Sequence, residues 1–196
     1  MISLSIYLIF YSVLHSVLAD DVLMKRYYYR WWYRFFYVLL STVLLIPAWI
    51  IYLRLPDYYV FNPPLFLKIL LYLIDILVLF FGYYASKSYD NNFFLGIEQI
   101  RYFFKYGVKE VKPEEKFIKS GALKYVRHPY YFAGIMLLWL RPLYYKDLVV
   151  NIIFTIYFIL GAINEERKLT RKFGEEYLRY KKEVPMIIPF LKRRKD

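Results

Sequence analysis

The 196-residue chain contains no cysteine and only two histidines, His15 and His128. The lack of cysteine excludes disulfide bonds, thiolate metal ligands and a cysteine nucleophile. Two imidazoles cannot form a multi-histidine zinc site, so the sequence predicts no metal site. Long stretches also lack charge, although Lys, Arg, Asp and Glu make up 22% of the chain. The charged residues are therefore concentrated between apolar stretches.

Those apolar stretches are long enough for a membrane, because a helix of roughly 20 apolar residues spans the hydrocarbon layer. A soluble domain would instead mix charge into each helix with a period of 3.6 residues. The stretches are residues 2–19, 35–53, 65–85 and 130–163. As one helix, the last stretch would be about 50 Å long, which is too long for one crossing and short for two. We therefore expect a hairpin of two short spans that breaks at Arg141–Asp147. Pro47 predicts a kink in the second stretch.

The sequence therefore predicts an all-α, polytopic membrane protein that forms a single domain over residues 1–196. We expect about five transmembrane helices, of which the last two form the short hairpin. A charged amphipathic helix follows from Asn164 to about Val184, and residues 91–106 are typical of a helix lying along the membrane surface. The start of the chain has no basic leader region, so we interpret residues 1–19 as a retained span rather than a cleaved signal.

The formal net charge is +12, which alone is compatible with nucleic-acid binding or with a positive membrane face. Three segments hold 24 of the 28 Lys and Arg residues: four follow the first span, nine precede the fourth, and eleven lie in the tail. With five spans, all three segments fall on one side, which the positive-inside rule assigns to the cytoplasm. We therefore expect a cell-membrane protein with an outer N-terminus, a cytoplasmic C-terminus, the lipid bilayer as partner and no nucleic acid.

One polar cluster precedes the fourth span and contains Arg127, His128 and Pro129. Proline suits the first turn of a helix, where its missing N–H costs nothing. This places His128 at the N-terminal mouth of the span, where backbone donors and the positive end of the helix dipole favour anions. The alternative interpretation is a helix cap flanked by interfacial tyrosines.

A second cluster, Glu165 and Glu166, follows the fifth span. The residues Leu169, Phe173, Tyr177 and Tyr180 share one face of the helix that continues from it. Carboxylates at a membrane boundary beside an apolar stripe need a partner or a ligand. The alternative interpretation is an ion pair with the many nearby Lys and Arg residues.

Taken together, the clusters read RHPYY at 127–131 and EExxLxxxFGxxYxxYxxxVPxxxP at 165–189. Over about the last 80 residues, this pattern resembles the isoprenylcysteine carboxyl methyltransferase and phospholipid methyltransferase superfamily. The resemblance implies a methyltransferase whose cofactor is S-adenosyl-L-methionine. It also implies a cytoplasmic cofactor pocket formed by about residues 115–190, which include the C-terminal helix. Carried over position by position, it implies cofactor contacts at Ile118, Leu123, His128, Pro129, Tyr130, Tyr131, Glu165 and Glu166.

The sequence departs from this family at two positions. Ala133 stands where the family has glycine, with Gly134 next, and we expect only a small repacking. Gly161 stands where the prenylcysteine enzymes carry an arginine that engages the substrate carboxylate. A site without that guanidinium is poorly suited to hold and orient a carboxylate acceptor.

The N-terminal half is similar to NnrU-like proteins and methanethiol S-methyltransferase-type enzymes. The stretches that carry this resemblance are FYSVLHSVLADDVLMKR at 10–26, YRFFYVLLS at 33–41 and YDNNFFLGIEQI at 89–100. It implies a small thiol or another lipophilic molecule as methyl acceptor. The alternatives are methylation of a prenylcysteine carboxyl or a phospholipid amine, and a non-catalytic NnrU-like membrane protein.

The recurring polar positions of this second resemblance fall on His15, Asn92 and Gln99, which are weak candidates for catalysis. For His15, a hydrogen bond between helices is the favoured alternative. Placing the charged side chains of Asp75 and Arg141 in lipid costs free energy, so we expect both to face the protein interior. We expect them to lie at different depths and not to pair.

Overall fold

A computed structural model describes residues 1–112 and 117–191 of the chain. Five of the cations counted above, Lys116 and those at 192–195, lie outside these ranges. The helices and strands are α1 (Ile2–Leu18), α2 (Tyr33–Val43), α3 (Leu45–Leu53), β1 (Tyr59–Phe61), α4 (Leu65–Ser86), α5 (Asn91–Leu95), α6 (Ile97–Tyr106), a 3₁₀ turn (Gly121–Lys124), α7 (Pro129–Trp139), β2 (Leu143–Tyr144) and α8 (Tyr145–Glu183). The chain divides into two compact units: residues 1–56 with 89–116, and residues 57–88 with 117–196.

In the first unit, α1 packs against α3. The hydroxyl of Tyr7 in α1 donates a hydrogen bond to the carbonyl oxygen of Leu44, at 2.8 Å. The kink expected at Pro47 lies three residues earlier, at Leu44, where α2 ends and α3 begins. The reason is that Pro47 has no N–H, so the carbonyl of Val43 loses its partner one turn later.

The expected surface helix over residues 91–106 is two helices, α5 and α6, joined at Gly96. Gly96 has φ +83°, a conformation that residues with a Cβ rarely adopt. A Cβ at this position would also overlap the backbone nitrogen of Phe35 at the start of α2. Two independent reasons therefore require glycine at this break: the left-handed backbone conformation and the close approach of two backbones.

In the second unit, α7 packs against both α4 and α8. The expected break of the last apolar stretch is present but shorter, because α8 already begins at Tyr145. Asp147 accounts for this start: its Oδ2 accepts a hydrogen bond from the backbone N–H of Tyr144 at 2.8 Å, and its Oδ1 lies 3.1 Å from the Arg141 guanidinium. Asp75 is half-buried in α4.

The connection between α7 and α8 forms β2, which pairs antiparallel with β1. The Tyr59 and Tyr144 rings stack across this pair with centroids 4.3 Å apart, and their hydroxyls are 2.8 Å apart. These two short strands are a departure from the all-α prediction in an otherwise helical structure.

Within the described residues, three helical segments are long and apolar enough to cross a membrane: Tyr33–Leu53, which joins α2 and α3, Leu65–Ser86, and Tyr145–Glu183. At 17 residues, α1 is apolar but shorter than those three. At 11 residues, α7 is about 16 Å long, roughly half of the hydrocarbon layer. The membrane protein predicted from the sequence is thus supported, whereas the count of five spans is not confirmed.

The predicted fifth span and amphipathic tail form one helix, α8, of 39 residues. Its apolar part ends at Ile163, and the charged part begins with Glu165, beyond the membrane-spanning segment. Gly174, with φ 53° and ψ −129°, interrupts the helical geometry within the charged part. The helix ends at Glu183, within two residues of the predicted end at Val184–Pro185.

Candidate active site

The mouth of α7 is held by the segment that follows α8. The backbone N–H groups of Arg127 and His128 donate to the carbonyl oxygens of Pro185 and Met186, at 2.9 and 3.0 Å. Pro129 occupies the first turn of α7, as the sequence predicted, and His128 is the residue immediately before it. The chain therefore presents the His128 side chain from a position fixed by backbone hydrogen bonds.

Beneath this mouth lies a buried ion cluster formed by Arg127, Glu166 and Lys181. Nε of Arg127 lies 2.6 Å from Oε1 of Glu166, and Nζ of Lys181 lies 3.0 Å from Oε2. The Arg127 guanidinium also donates to the carbonyl oxygens of Lys181 and Val184. Both Glu166 carboxylate oxygens are thus bound by cations, and the ion-pair interpretation of the second cluster holds for Glu166.

Burial by itself raises the pKa of Glu166, because it disfavours the charged form. Hydrogen bonds from His128 and Lys181 and the charge of Arg127 outweigh burial and lower the pKa to about 2. Glu166 is therefore an anion at neutral pH. Its charge is balanced within the protein.

His128 lies between the two carboxylates. Its Nε2 is 3.4 Å from Oε1 of Glu166, and its Nδ1 is 3.4 Å from Oε2 of Glu165. Burial lowers the pKa of His128, but the hydrogen bonds and charges of Glu165 and Glu166 outweigh it, so the pKa is raised above its usual value of 6.5. The imidazole therefore carries positive charge more readily than a free histidine does.

Glu165 differs from its neighbour in being open. Its side chain is 47% exposed, against 7% for Glu166. Oε2 of Glu165 accepts a hydrogen bond from the Tyr131 hydroxyl at 3.3 Å. The open carboxylate, the Tyr131 hydroxyl and the buried imidazole of His128 form a compact polar site at the end of the apolar part of α8.

Aromatic rings form one side of this site. The His128 and Tyr131 rings are stacked, with centroids 5.3 Å apart and planes 8° apart. The Phe158 ring of α8 is stacked with Tyr131 in turn, with centroids 5.6 Å apart. Phe158 packs so close to Gly134 that a Cβ there would come within 3.0 Å of the ring. A small residue at 134 therefore lets the stack form.

Gly161 also faces this stack. A Cβ at this position would lie 3.6 Å from the Tyr131 hydroxyl oxygen, which is ordinary van der Waals contact. A longer side chain at 161 would therefore extend from a point beside Tyr131. This is the position at which the sequence lacks the arginine of the prenylcysteine enzymes.

The other cofactor contacts implied by the resemblance lie outside this polar site. The carbonyl oxygen of Leu123 accepts a hydrogen bond from the Tyr180 hydroxyl at 2.6 Å. Pro129 is buried, whereas Ile118 and Tyr130 are exposed. The structure thus brings His128, Tyr131, Glu165 and Glu166 together in direct contact, while Leu123 is tied to an aromatic cluster of Phe117, Phe173, Tyr177 and Tyr180.

Sequence reasoning did not single out Lys181 or Phe158, and it treated Arg127 only as part of a motif. Arg127 had a usable signal, because an arginine directly before the mouth of an apolar helix needs an acidic partner if it is buried. Lys181 and Phe158 lie among many similar residues on α8, so only the fold distinguishes them.

The weak catalytic candidates belong to the first unit. The Tyr37 hydroxyl lies 2.8 Å from Nε2 of His15, so His15 makes the hydrogen bond between helices that the sequence favoured. Gln99 is buried and its Nε2 donates to the carbonyl oxygen of Phe93 at 3.0 Å. Asn92 is exposed at the start of α5. His15 and Gln99 therefore have structural partners within their own unit.

The second unit also contains an apolar groove of about 500 Å³. Its lining comes from α4, the start of α7 and the segment after α8, and consists of Leu77, Val78, Phe81, Tyr84, Tyr125, Phe132, Ile188, Pro189 and Phe190. The volume lies in the range of roughly 300–1,000 Å³ that is typical of pockets for small ligands.

Comparison with known proteins identifies relatives over part of the chain. The methanethiol S-methyltransferase of Crocosphaera subtropica is 35% identical over 109 residues, which cover 55% of this chain and 42% of the relative. That of Pseudomonas deceptionensis is 36% identical over 103 residues, covering 48% and 39%, and methanethiol S-methyltransferase 1 of Bradyrhizobium diazoefficiens is 39% identical over 83 residues, covering 42% and 29%. This chain is therefore similar to methanethiol S-methyltransferases.

The chain covers less than half the length of these curated relatives. No family model matches it, and no solved structure does. The resemblance to the wider prenylcysteine and phospholipid methyltransferase superfamily therefore stays a prediction, whereas the similarity to methanethiol S-methyltransferases is a finding.

Proposed function

We propose that this chain is an S-adenosyl-L-methionine-dependent methyltransferase of the membrane, with a small thiol or another lipophilic molecule as acceptor. The observation that carries the proposal is the open carboxylate of Glu165 beside the stacked rings of His128 and Tyr131. The names of the relatives, which cover about half the chain, support the same reaction type.

The residues at this site fit the cofactor. Its amino and ribose hydroxyl groups are hydrogen-bond donors, and the half-exposed carboxylate of Glu165 is an acceptor for them. Its sulfonium is a cation, which an aromatic face such as that of the exposed Tyr130 would attract. When bound, S-adenosyl-L-methionine would supply its sulfonium methyl group to the sulfur or nitrogen of an acceptor, and S-adenosylhomocysteine would leave with the electron pair of the broken S–CH3 bond.

Glu166 has a different part in the proposal. Its carboxylate is bound by Arg127, Lys181 and His128, so it positions the imidazole and the mouth of α7 without touching the cofactor. Leu123 and Ile118 would supply apolar surface near the adenosine. Catalysis then comes chiefly from alignment of two bound reactants, a contribution that is worth roughly 7–11 kcal/mol in well-oriented reactions.

The acceptor is proposed from Gly161 and from charge. Without a guanidinium beside Tyr131, nothing at position 161 can align a carboxylate bidentately. A thiolate needs no such fork, because its sulfur is itself the nucleophile. The 500 Å³ apolar groove of the same unit offers a place for a lipophilic acceptor. We place the site on the cytoplasmic side, in line with the distribution of Lys and Arg.

Cofactor binding is tested with Glu165→Gln and the matched control Glu183→Gln, which changes an exposed glutamate paired with Lys119. Equilibrium binding of radiolabelled S-adenosyl-L-methionine to the purified protein in detergent is the measurement. We expect Glu165→Gln to lose roughly 1–3 kcal/mol of binding, the cost of leaving hydrogen-bond donors unpaired, and the control to bind as wild type does. Equal binding by all three proteins contradicts the role of Glu165. No binding by any of them favours the non-catalytic alternative.

Acceptor choice is tested by radiolabelled methyl transfer to methanethiol, farnesylcysteine and a phosphatidylethanolamine under matched conditions. We expect the thiol to be methylated fastest. Gly161→Arg should slow or block transfer to the thiol, and Gly161→Ala, whose Cβ makes only ordinary contact with Tyr131, should leave it nearly unchanged. If the wild type methylates farnesylcysteine or the lipid amine and ignores thiols, the corresponding alternative replaces the thiol proposal.

A further inference from the structure

The first unit contains a cavity of about 370 Å³ that the proposed methyl transfer does not use. We call it the connector pocket, because most of its lining comes from the connector between α1 and α2. Its lining residues are Arg26, Tyr27, Arg30, Trp31, Trp32, Phe103 and Lys109. The composition is unusual for one small cavity: three cations and four aromatic rings.

The walls of the connector pocket are braced. The Trp31 and Phe103 rings are stacked, with centroids 4.0 Å apart and planes 5° apart. The backbone N–H of Trp31 donates to the carbonyl oxygen of Lys109 at 3.1 Å, and Arg30 and Glu110 form a backbone bridge. These contacts hold the connector beside the segment that follows α6, so that Arg30 and Lys109 approach the cavity from two segments.

The charge of the pocket favours an anion. Among the described residues, Glu110 is an acidic group next to it, and its carboxylate lies 3.7 Å from Nε of Arg30, with both side chains about half exposed. Within the described residues, this pair offsets the charge of one of the three lining cations. Arginine recognises phosphate oxygens through its planar fork of donors, and lysine adds a compact charge.

The surroundings of the pocket resemble a membrane interface. The connector follows the apolar α1 and precedes the apolar segment that begins with Tyr33. Next to Arg26 in the connector, Val22 and Leu23 are 62% and 66% exposed. Exposed aliphatic side chains beside Trp, Tyr and Arg are typical of headgroup depth, where rings and cations face the polar layer and aliphatic groups face the acyl chains.

We propose that the connector pocket binds the headgroup of an anionic glycerophospholipid. Arg26, Arg30 and Lys109 bind the phosphate, while Tyr27 and Trp32 pack against the glycerol backbone. The acyl chains run along Val22 and Leu23. A cluster of cations directly beside a membrane helix is the usual recognition element for such lipids. The inference rests on the chain lying in a membrane and is independent of methyl transfer.

The test uses the full chain in neutral detergent. Dihexanoylphosphatidylglycerol, dihexanoylphosphatidylcholine and inorganic phosphate are titrated separately, with native mass spectrometry counting bound lipid and tryptophan fluorescence reporting on Trp31 and Trp32. We compare Arg26→Gln/Arg30→Gln with the control Arg101→Gln/Lys105→Gln. The control removes the same charge from α6 of the same unit and leaves the pocket lining intact.

We expect one phosphatidylglycerol to bind saturably and phosphatidylcholine to bind much more weakly. The pocket double variant should bind roughly thirtyfold more weakly, because each cation near a membrane surface contributes about fivefold. The control should bind as wild type does. Equal weakening by both double variants, no preference for phosphatidylglycerol, or equal binding of inorganic phosphate overturns the proposal. Should the pocket double variant unfold, Lys109→Gln, an exposed change, replaces it with an expected loss of about fivefold.

Discussion

Arg127 and Glu166 in the second unit are 4% and 5% exposed and meet as opposite charges. In the first unit, Gln99 is equally buried at 3%, but its partner is the neutral carbonyl of Phe93, and His15 bonds the neutral hydroxyl of Tyr37. The second unit thus pairs buried opposite charges, whereas these two side chains of the first unit have neutral partners.

The difference concerns how strongly each kind of buried contact fixes the helices that it joins. A buried ion pair costs desolvation, so it is a poor source of stability by itself, but removing one partner leaves an uncompensated buried charge. The cluster therefore fixes the mouth of α7 against α8 with a large penalty for any other arrangement. Single hydrogen bonds such as His15 to Tyr37 align helices at a smaller cost.

Removing one charge of the cluster should have the largest effect. We expect Arg127→Met to lower the free energy of unfolding by about 3–5 kcal/mol, because Glu166 is left buried without its closest cation. The matched control Lys119→Met breaks an ion pair whose side chains are 41% and 58% exposed, and should cost less than about 1 kcal/mol. Unfolding titrations in mixed micelles measure both. Similar losses for the two variants would mean that the buried cluster contributes no more to stability than an exposed ion pair does.

The corresponding weak point of the first unit is a backbone contact. We expect Gly96→Ala to cost roughly 2–3 kcal/mol, because the left-handed conformation disfavours a Cβ and the methyl overlaps the backbone of Phe35. Gly107 has φ +69°, and a Cβ added there would have no neighbour within 4 Å, so Gly107→Ala isolates the conformational cost alone, at about 1 kcal/mol. The same unfolding titration applies. If both variants lose equally, the close approach of α5 and α6 to α2 is not limiting.

The ion cluster also predicts a pH dependence of stability. The folded-state pKa of His128 is raised above 6.5, so its contribution is complete below pH 6.5 and is lost as the pH rises through the raised pKa. The folded-state pKa of Glu166 is about 2 against 4.5 ordinarily, so its contribution is complete above pH 4.5 and is lost as the pH falls towards 2. Together they predict greatest stability between these limits.

Unfolding free energies from pH 3 to 9 test this profile, with a slope of at most about 1.4 kcal/mol per pH unit for each titrating proton. His128→Gln should remove the alkaline decline that His128 causes. His15→Gln retains His128 and should keep it. If the alkaline decline disappears in His15→Gln instead, the titrating group is His15 in the first unit, and the prediction for His128 is wrong.

The smallest expected effect belongs to the neutral hydrogen bond of the first unit. Tyr37→Phe removes the hydroxyl that bonds His15 and should cost about 1 kcal/mol. A double-mutant cycle with His15→Leu isolates the coupling between the two side chains, which we expect to be about 0.5–1 kcal/mol. A coupling near zero would mean that the Tyr37 hydroxyl is held by another partner.

Much of the fold was predictable because it depends on local features of the sequence. The apolar stretches, Pro129 at the start of α7 and the end of α8 near Val184 all follow from hydrophobicity and helix signals. Gly96 lies within the stretch YDNNFFLGIEQI that carries the second resemblance, but its role in joining α5 to α6 was not predicted. That role depends on the backbone of Phe35, about sixty residues away in the chain.

The sequence predicted which residues come together at the candidate site but not how each of them is paired, and their role toward a cofactor stays a prediction. His128, Tyr131, Glu165 and Glu166 were all named from the sequence, and the structure places them in contact. The sequence treats Glu165 and Glu166 alike, since they are adjacent and chemically identical. Only their orientation on α8, one carboxylate towards Arg127 and Lys181 and the other towards solvent, makes one structural and the other open to a ligand.

By itself, the sequence determined a helical membrane protein, because helix formation and burial in lipid depend on composition over roughly twenty residues at a time. It also determined a pair of clusters beside the apolar hairpin. The tertiary structure decided that Arg127 and Lys181 neutralise Glu166, that Phe158 and Tyr131 stack, and that Gly161 faces Tyr131. Those contacts join residues 15 to 39 positions apart, most of them on different elements, where no local pattern specifies which side chains meet.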